Sequence, residues 1–362
     1  MELDILDKKV AYFEGRPSGH PIHSEYAKII NSHFNYIDKY LRYHDKPTSP
    51  IKRYLSYLLT ALFFPIKDFD VVFTEEGYFQ LGLMRLFGRL KNKKLIGLMA
   101  THTAYFIKKK KYSKLTCKAF IETYKQYDSF ICIGDIQYNL MSELLENTNV
   151  RIYKIFNGLK LNQIEYLNKL KLKLDSKRIL FIGNLDNSNR LYSKGFDIVL
   201  NAFEDLIKID SSYQLLVVGS YNDTIIDDIV SDEIKDNITF VGLQENISPY
   251  ILQSSLYVHP GRGDAFPTTI LEMSHAGLPI ICSNEIGNYN IVSKVKSNMV
   301  INSSSEELLR EIINYFQLSI EEREQISAKL KISALPYNEE RAKEVFMSTM
   351  NKIINEKLKA YK

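Results

Sequence analysis

Leu256-Tyr-Val-His-Pro-Gly-Arg-Gly-Asp-Ala-Phe-Pro-Thr-Thr-Ile-Leu-Glu272 is the stretch on which the reading of this chain turns. Its apolar start, Leu256–His259, has the length of a buried strand, and its end, from Thr269 onward, has a helical apolar period. Between them lies a turn carrying Gly261, Gly263 and Pro267, with one acid, Asp264, in the turn and a second, Glu272, inside the helix. Thr269-Ile-Leu-Glu272 also fits a capping box, in which Thr269 caps the helix and Glu272 bonds back to the cap's backbone N–H. That pattern accounts for Glu272 and leaves Asp264 unexplained. The free N–H groups of a helix start suit phosphate oxygens, and flanking carboxylates can accept hydrogen bonds from sugar hydroxyls.

The same strand–loop–helix alternation runs through the chain, the pattern of an α/β protein with parallel sheets. Strands are expected near Val10–Glu14, Asn35–Tyr40, Val71–Thr74, Leu95–Ala100, Phe130–Ile133 and Ile152–Phe156. A second set is expected near Ile179–Gly183, Gln214–Gly219, Ile238–Gly242, Leu256–His259, Pro279–Ser283 and Met299–Ile301. Three helices, Ser305–Phe316, Ile320–Ala334 and Glu339–Lys359, close the chain. With 362 residues there is material for two domains, and the polar, Lys-rich segment Leu159–Lys177 places their join near residue 170. The expected division is 1–165, 170–338 and a C-terminal helix, 339–362. Ligands of open parallel sheets bind beyond the carboxyl ends of the strands, so two such domains facing each other imply a central cleft lined by strand-to-helix loops.

Composition narrows the classes. The chain is 45% hydrophobic and 25% charged, as a globular protein is. Cys117, Cys132 and Cys282 are scattered and odd in number, which suggests neither a disulfide framework nor a metal-ligand spacing and implies a reducing, cytoplasmic setting. His20 and His23 form H-x-x-H without a third ligand, so no metal site is expected. The acidic start, Met1-Glu-Leu-Asp, is unlike a secretory signal. The apolar stretch Leu55–Ile66 is shorter than the roughly 20 residues that span a bilayer. The net charge of +4 divides into +9 over residues 1–160 and −5 over the rest. Lys108–Lys111, Lys114, Lys118, Lys91, Lys93 and Lys94 concentrate the positive charge, either as a solvated face or as an attraction for an anionic membrane surface or a phosphate-bearing acceptor. Nucleic acid is not expected, since no reader motif accompanies them.

Other loops carry candidate residues. Gly19 and His20 follow the first strand, where glycine would let backbone approach a phosphate or sugar; an ordinary tight turn fits equally. Neither G-x-G-x-x-G nor a P-loop occurs. His102 follows the strand Leu95–Ala100, between Thr101 and Thr103. In the second half Gly183 and Asn184 end a strand, and a polar loop leads through Arg190 to Lys194 and Gly195, after which Phe196, Val199, Leu200, Phe203, Leu206 and Ile207 line one side of a helix. Cations at Lys194 and Arg190 could neutralise a diphosphate leaving group.

Together "FIGN", "SKGFDIVLNAF", "LLVVGS", "ITFVGL" and "YVHPGRGDAFPTTILEMSHAGLPIICSN" resemble the retaining GT-B glycosyltransferases, and among them glycosyltransferase family 4. The resemblance implies two Rossmann-like domains facing a cleft, with the C-terminal helix returning to the N-terminal lobe. It implies that Asp264 contacts the transferred sugar, that Glu272 binds the ribose hydroxyls, and that amides around Phe266, Pro267, Thr268 and Thr269 meet the diphosphate and sugar. Lys194 matches the family's phosphate-binding lysine, and Leu243 lies where the base usually packs. Gly19 falls at the glycine-rich first loop, His102 at the histidine near donor sugar and acceptor, and Asn157-Gly158 at the end of the first domain.

Two departures stand out. Asp264 replaces the usual Glu, shortening the reach by one methylene, and Asn184 stands where an arginine commonly follows the glycine, so Arg190 is a candidate replacement cation. The expected activity is transfer of a hexose-type sugar from a nucleoside-diphosphate sugar to an acceptor hydroxyl with retention, without a metal or other cofactor. The acceptor would be a glycan or lipid-linked precursor in cell-surface polysaccharide, glycolipid or glycan assembly, at the inner face of the membrane. A nucleotide-sugar 2-epimerase and a catalytically lapsed nucleotide-sugar-binding protein are the alternatives.

Overall fold

The computed structural model describes residues 8–13, 26, 28–30, 35–38, 50–63 and 69–356. The chain divides into two compact units, one comprising Met1–Phe156 with Ala342–Lys362, the other Asn157–Arg341.

Each unit is built on a six-stranded, all-parallel sheet. In the first, β1 (Lys9–Phe13), β2 (Asn35–Asp38), β3 (Val71–Glu75), β4 (Lys94–Met99), β5 (Ser129–Ile133) and β6 (Arg151–Ile155) take the order β2-β1-β3-β4-β5-β6. In the second, β7 (Arg178–Ile182), β8 (Gln214–Val218), β9 (Ile238–Gly242), β10 (Leu256–His259), β11 (Ile280–Ser283) and β12 (Val300–Ile301) take the order β12-β11-β10-β7-β8-β9. The strands fall where the apolar runs place them because sheets covered by helices on both faces bury their central strands on both sides, whereas the edge strands Arg151–Ile155 and Ile238–Gly242 are only partly buried. Val71–Glu75, Ser129–Ile133, Leu256–His259 and Ile280–Ser283 are buried throughout. This is the GT-B fold.

The two sheets are not copies. Strand order reverses between β1 and β3 in the first and between β7 and β10 in the second. In doubly wound sheets the loops that leave the strands at such a reversal diverge and open a ligand crevice. In the second unit these are the loops after Ile182 and after His259.

Helix Phe196–Ile209 covers the second sheet with Phe196, Val199, Leu200, Phe203 and Leu206, spaced by three and four residues. Its entry depends on Gly195. That residue has φ of 72°, and a Cβ there would lie 2.1 Å from the Pro260 carbonyl oxygen. The Lys-rich segment expected to join two domains instead belongs to the second unit. It forms helix Leu161–Asn168, which packs against helix Thr268–Ala276, and Leu159 pairs with Asn338 as a parallel bridge. Gly158 permits that pairing, since any Cβ there would meet the Asn338 backbone at 2.1 Å.

Helix Glu339–Asn355 carries the chain back to the first unit, with Phe346, Met350 and Ile353 buried at helical spacing. Phe346 packs on Tyr26 at 4.8 Å and on Phe73 at 6.0 Å between ring centroids. At the amino ends of β4 and β5, Asp128 accepts from the Arg85 guanidinium and, at 2.8 Å, from the Leu95 N–H. That buried pair lies at the end of the sheet opposite the strand-to-helix loops.

Candidate active site

The loops at the β7/β10 reversal bring Lys194 and Asp264 together: Lys194 Nζ donates to Asp264 Oδ2 at 2.8 Å. The pair is partly screened from water, with side chains 19% and 15% exposed. Lys194 ends helix Ser188–Lys194, whose N-cap Asn187 accepts from the Arg190 N–H. The loop expected between Asn184 and Lys194 is therefore mostly a short helix. Its stem passes Gly183, where an added Cβ would lie 3.4 Å from Lys194 Cγ. Glycine ends this strand, and Gly219 and Gly242 end the next two. Gly219 approaches the Gly183 carbonyl so closely that a Cβ would sit 2.2 Å from it.

The turn holding Asp264 is pinned on both sides. Arg262 N–H donates to the Ser193 carbonyl (2.8 Å), Gly263 N–H to the Glu285 carbonyl and Gly287 N–H to the Asp264 carbonyl (both 2.9 Å). Arg262 reaches back with two bonds to Asp197, 2.8 and 2.9 Å, and lies 4.3 Å from the Tyr192 ring centroid. A planar guanidinium held by a carboxylate on one side and an aromatic face on the other has little freedom. This clasp ties the Asp264 turn to the Lys194 helix. Asn288, buried, donates to the Pro267 carbonyl at 3.0 Å and sets the entry of the next helix.

That helix, Thr268–Ala276, starts without a side-chain cap. The capping box anticipated from Thr269 and Glu272 does not form, because Pro267 holds the cap position, Thr269 is already inside the helix, and both side chains are engaged elsewhere. Thr269 Oγ1 accepts from the Tyr257 hydroxyl at 2.9 Å, and that hydroxyl lies 3.0 Å from His259 Nδ1. Glu272 Oε1 accepts from Gln163 Nε2 at 2.9 Å. The first N–H groups of the helix are thus left to whatever sits before it. Burial pushes the Glu272 carboxyl up, and the Gln163 bond pulls it part of the way back. Burial also lowers His259 to about 4, reinforced by the Lys194 cation and opposed by Asp264, so its ring is neutral near pH 7.

The remaining expected residues are placed as follows. Arg190 is exposed and stands four residues before Lys194 on one helix, on the same face. Asn184 Oδ1 accepts from the Ser220 N–H at 3.4 Å, tying the ends of β7 and β8. Leu243 follows β9 and is 73% exposed. The Phe266 ring is buried, 5.9 Å from the Tyr337 ring, so this residue has only backbone to offer a ligand. His102 belongs to the first unit, at the start of helix Thr103–Lys108, stacked on Phe106 at 5.8 Å. Beside it Thr101 and Thr103 both donate to Glu76 Oε1. Gly19 and His20 lie outside the described residues. Gln163, the Arg262–Asp197 clasp and the His259–Tyr257–Thr269 chain were not foreseen, since each joins residues distant in sequence or buried in a strand.

Residues 162–331 match the family model of glycosyl transferases group 1. An uncharacterized 41.2 kDa protein in the cps region of Klebsiella pneumoniae is 25% identical over 262 residues, 68% of this chain and 69% of that protein. An uncharacterized glycosyltransferase of Haemophilus influenzae is 28% identical over 159 residues, 43% of this chain and 42% of its own length. Among solved structures, HepE of Anabaena in complex with UDP and glucose superposes with a TM-score of 0.64 at 12% identity, covering 95% of this chain and 99% of that one. These matches support glycosyl transfer: the chain has the GT-B fold, and its second unit matches the glycosyl transferases group 1.

Proposed function

We propose that the protein is a retaining glycosyltransferase that takes a hexose-type sugar from a nucleoside-diphosphate sugar and delivers it to an acceptor hydroxyl. The observation that carries this reading is the Lys194–Asp264 pair at the strand-order reversal, with an uncapped helix start and the half-buried Glu272 immediately beyond. One cation and one anion held 2.8 Å apart suit a substrate with an anionic and a hydroxylic part next to each other, as at the junction of sugar and diphosphate. Lys194 has three donors, so it can meet a phosphate oxygen while keeping Asp264 in place.

In this reading the amides of Thr268 and Thr269 and the ammonium of Lys194 take the charge that develops on the diphosphate as its bond to the sugar breaks. Arg190, one turn before Lys194, adds a second cation and stands in for the arginine that Asn184 replaces. Asp264 accepts from a sugar hydroxyl. Glu272, one turn beyond the helix start at Thr268 and steadied by Gln163, accepts from the ribose hydroxyls, and Leu243 packs against the base. Because these groups supply the charge at the leaving group, the reaction is proposed to need no metal. The acceptor hydroxyl enters on the face the leaving phosphate departs from, and that phosphate helps to take its proton, which retains the anomeric configuration. His102 serves the acceptor side. The HepE complex with UDP and glucose and the cps-region setting of the Klebsiella protein favour a nucleotide-sugar donor and a role in cell-surface glycan assembly.

Thermal unfolding with a panel of UDP-, GDP- and ADP-sugars tests this, since a ligand that binds the folded form raises the midpoint. The expected result is one responding donor, whose turnover yields an axial or equatorial product bond matching that of the donor. Lys194→Met and Asp264→Asn should each abolish turnover. No response to any donor refutes the reading. Binding without hydrolysis or transfer favours a lapsed enzyme, and release of a 2-epimeric sugar an epimerase.

A further inference from the structure

Helix Pro50–Phe63 of the first unit is turned the wrong way for a helix that serves only as packing. Leu55, Leu58, Leu59 and Leu62 recur at the spacing of one helical face, Phe63 extends that face, and all five are exposed, Leu55 by 53% and Phe63 by 74%. The opposite side, with Ala61 fully buried and the Tyr57 ring 6.0 Å from the Phe79 ring, packs against helix Phe79–Leu86. That neighbouring helix ends in two more exposed apolar side chains, Leu86 and Phe87. An amphipathic helix in a soluble protein points its apolar stripe at the core. Here the stripe points out, and a contiguous apolar patch of this kind marks a contact surface.

The charge around the patch indicates what covers it. Residues 77–121 hold eleven Lys or Arg and no Asp or Glu. Two of the eleven, Arg85 and Lys94, are buried. Others edge the same helical layer. Arg89 donates to the Ala61 carbonyl at the end of the apolar helix at 2.8 Å. Lys91 is exposed a few residues beyond Phe87. Helix Lys114–Tyr124, which packs on helix Phe79–Leu86, begins with the exposed Lys114, a 77% exposed Leu115 and the exposed Lys118.

From these observations we infer that this face of the first unit lies on an anionic lipid bilayer, with Leu55, Leu58, Leu59, Leu62 and Phe63 entering the acyl boundary and the lysines meeting the headgroups. A helix with an apolar face and a basic surround adopts this interfacial position without crossing the bilayer. Among the described residues no helix is long and apolar enough to cross a membrane. A second copy of the chain is the less favoured occupant, since it would bring the like-charged lysines of both copies together.

The experiment is sedimentation of the full chain with sucrose-loaded vesicles of phosphatidylcholine alone or mixed with phosphatidylglycerol, at low and high salt, alongside mass determination in solution. The expected result is binding to the mixed vesicles, weakened by salt, and reduced at least about tenfold by Leu59→Glu with Phe63→Glu. Because both side chains are exposed, the variant should keep the wild-type unfolding midpoint and the wild-type response to the nucleotide-sugar panel. The charge reversals Lys91→Glu and Lys114→Glu should weaken binding to the mixed vesicles only. Equal recovery with both vesicle types, or unchanged binding by the Leu59/Phe63 variant, overturns the inference. A wild-type dimer that the same variant dissociates, without vesicle binding, also overturns it and makes the face a contact between copies. Vesicle binding is read without donor or acceptor, so its failure and that of the proposed activity are separate results.

Discussion

Acidification should loosen the second unit, in part through the His259 imidazole beneath the Lys194–Asp264 pair. His259 is wholly buried, and its pKa is lowered from 6.5 to about 4. The unfolded chain therefore binds a proton in a range where the folded chain refuses one, so stability rises with pH across that range. Well above pH 6.5 His259 is neutral in both states and costs nothing; as pH falls through 6.5 towards 4 the folded state is progressively disfavoured. At about pH 5 the unfolded imidazole is almost fully protonated and the folded one barely so, and linkage gives a loss of ~2 kcal/mol relative to about pH 7.5. His275, buried and also lowered to about 4, acts in the same direction. The variant His259→Asn isolates the contribution, since its amide N–H takes the place of Nδ1 beside the Tyr257 hydroxyl and does not titrate. Losing part of the ring destabilises this variant equally at both pH values, whereas the acid-induced loss should shrink by ~2 kcal/mol. Hydrogen exchange of the Leu256–His259 amides reads this unit without requiring both units to unfold together. Equal acid-induced losses in wild type and variant would refute the argument, because His259 would then titrate normally or not at all.

Four further outcomes follow from the geometry. Gly195→Ala combines left-handed strain with a Cβ 2.1 Å from the Pro260 carbonyl oxygen, and should cost at least about 2 kcal/mol in chemical unfolding. Arg262→Met removes both bonds to Asp197 and the contact with Tyr192. Donor affinity measured by calorimetry should fall by about 1–2 kcal/mol, with the unfolding midpoint nearly kept. Gln163→Leu takes away the N–H that opposes the burial-driven rise of Glu272. Glu272 then takes up its proton at higher pH, so the acid limb of the pH profile for donor binding should move upward, while Gln163→Glu should weaken binding across the profile. Arg85→Met strands Asp128, whose side chain is 5% exposed, and should cost ~3 kcal/mol of stability without altering donor affinity.

How far the sequence discloses this molecule depends on the range of the interaction concerned. Strand positions were legible to within a residue or two because a strand buried on both faces is apolar for most of its length, and Leu256–His259 and Ile280–Ser283 fall where that rule puts them. Lys194 and Asp264 could be named because each sits at a strand-to-helix loop flanked by glycine. Their contact, at 2.8 Å, depends on the β7/β10 neighbourhood, which no local pattern specifies. The failed capping box shows the limit from the other side. Thr269 and Glu272 have the local spacing, but Tyr257 and Gln163, 12 and 109 residues away, compete for the same oxygens and win. Gln163 carried no signal, since a glutamine on a helix is ordinary until that helix packs beside the acid. The helix Pro50–Phe63 extends the argument to faces. Its period gives an apolar stripe, and the usual rule would bury it; only the fold shows that Tyr57 and Ala61 face inward while Leu55, Leu59 and Phe63 face out. Local chemistry decides what an element is, and its neighbours decide which of its sides is used. An apolar stripe left outside by that decision therefore bears on where the protein works as directly as the paired charges bear on its chemistry.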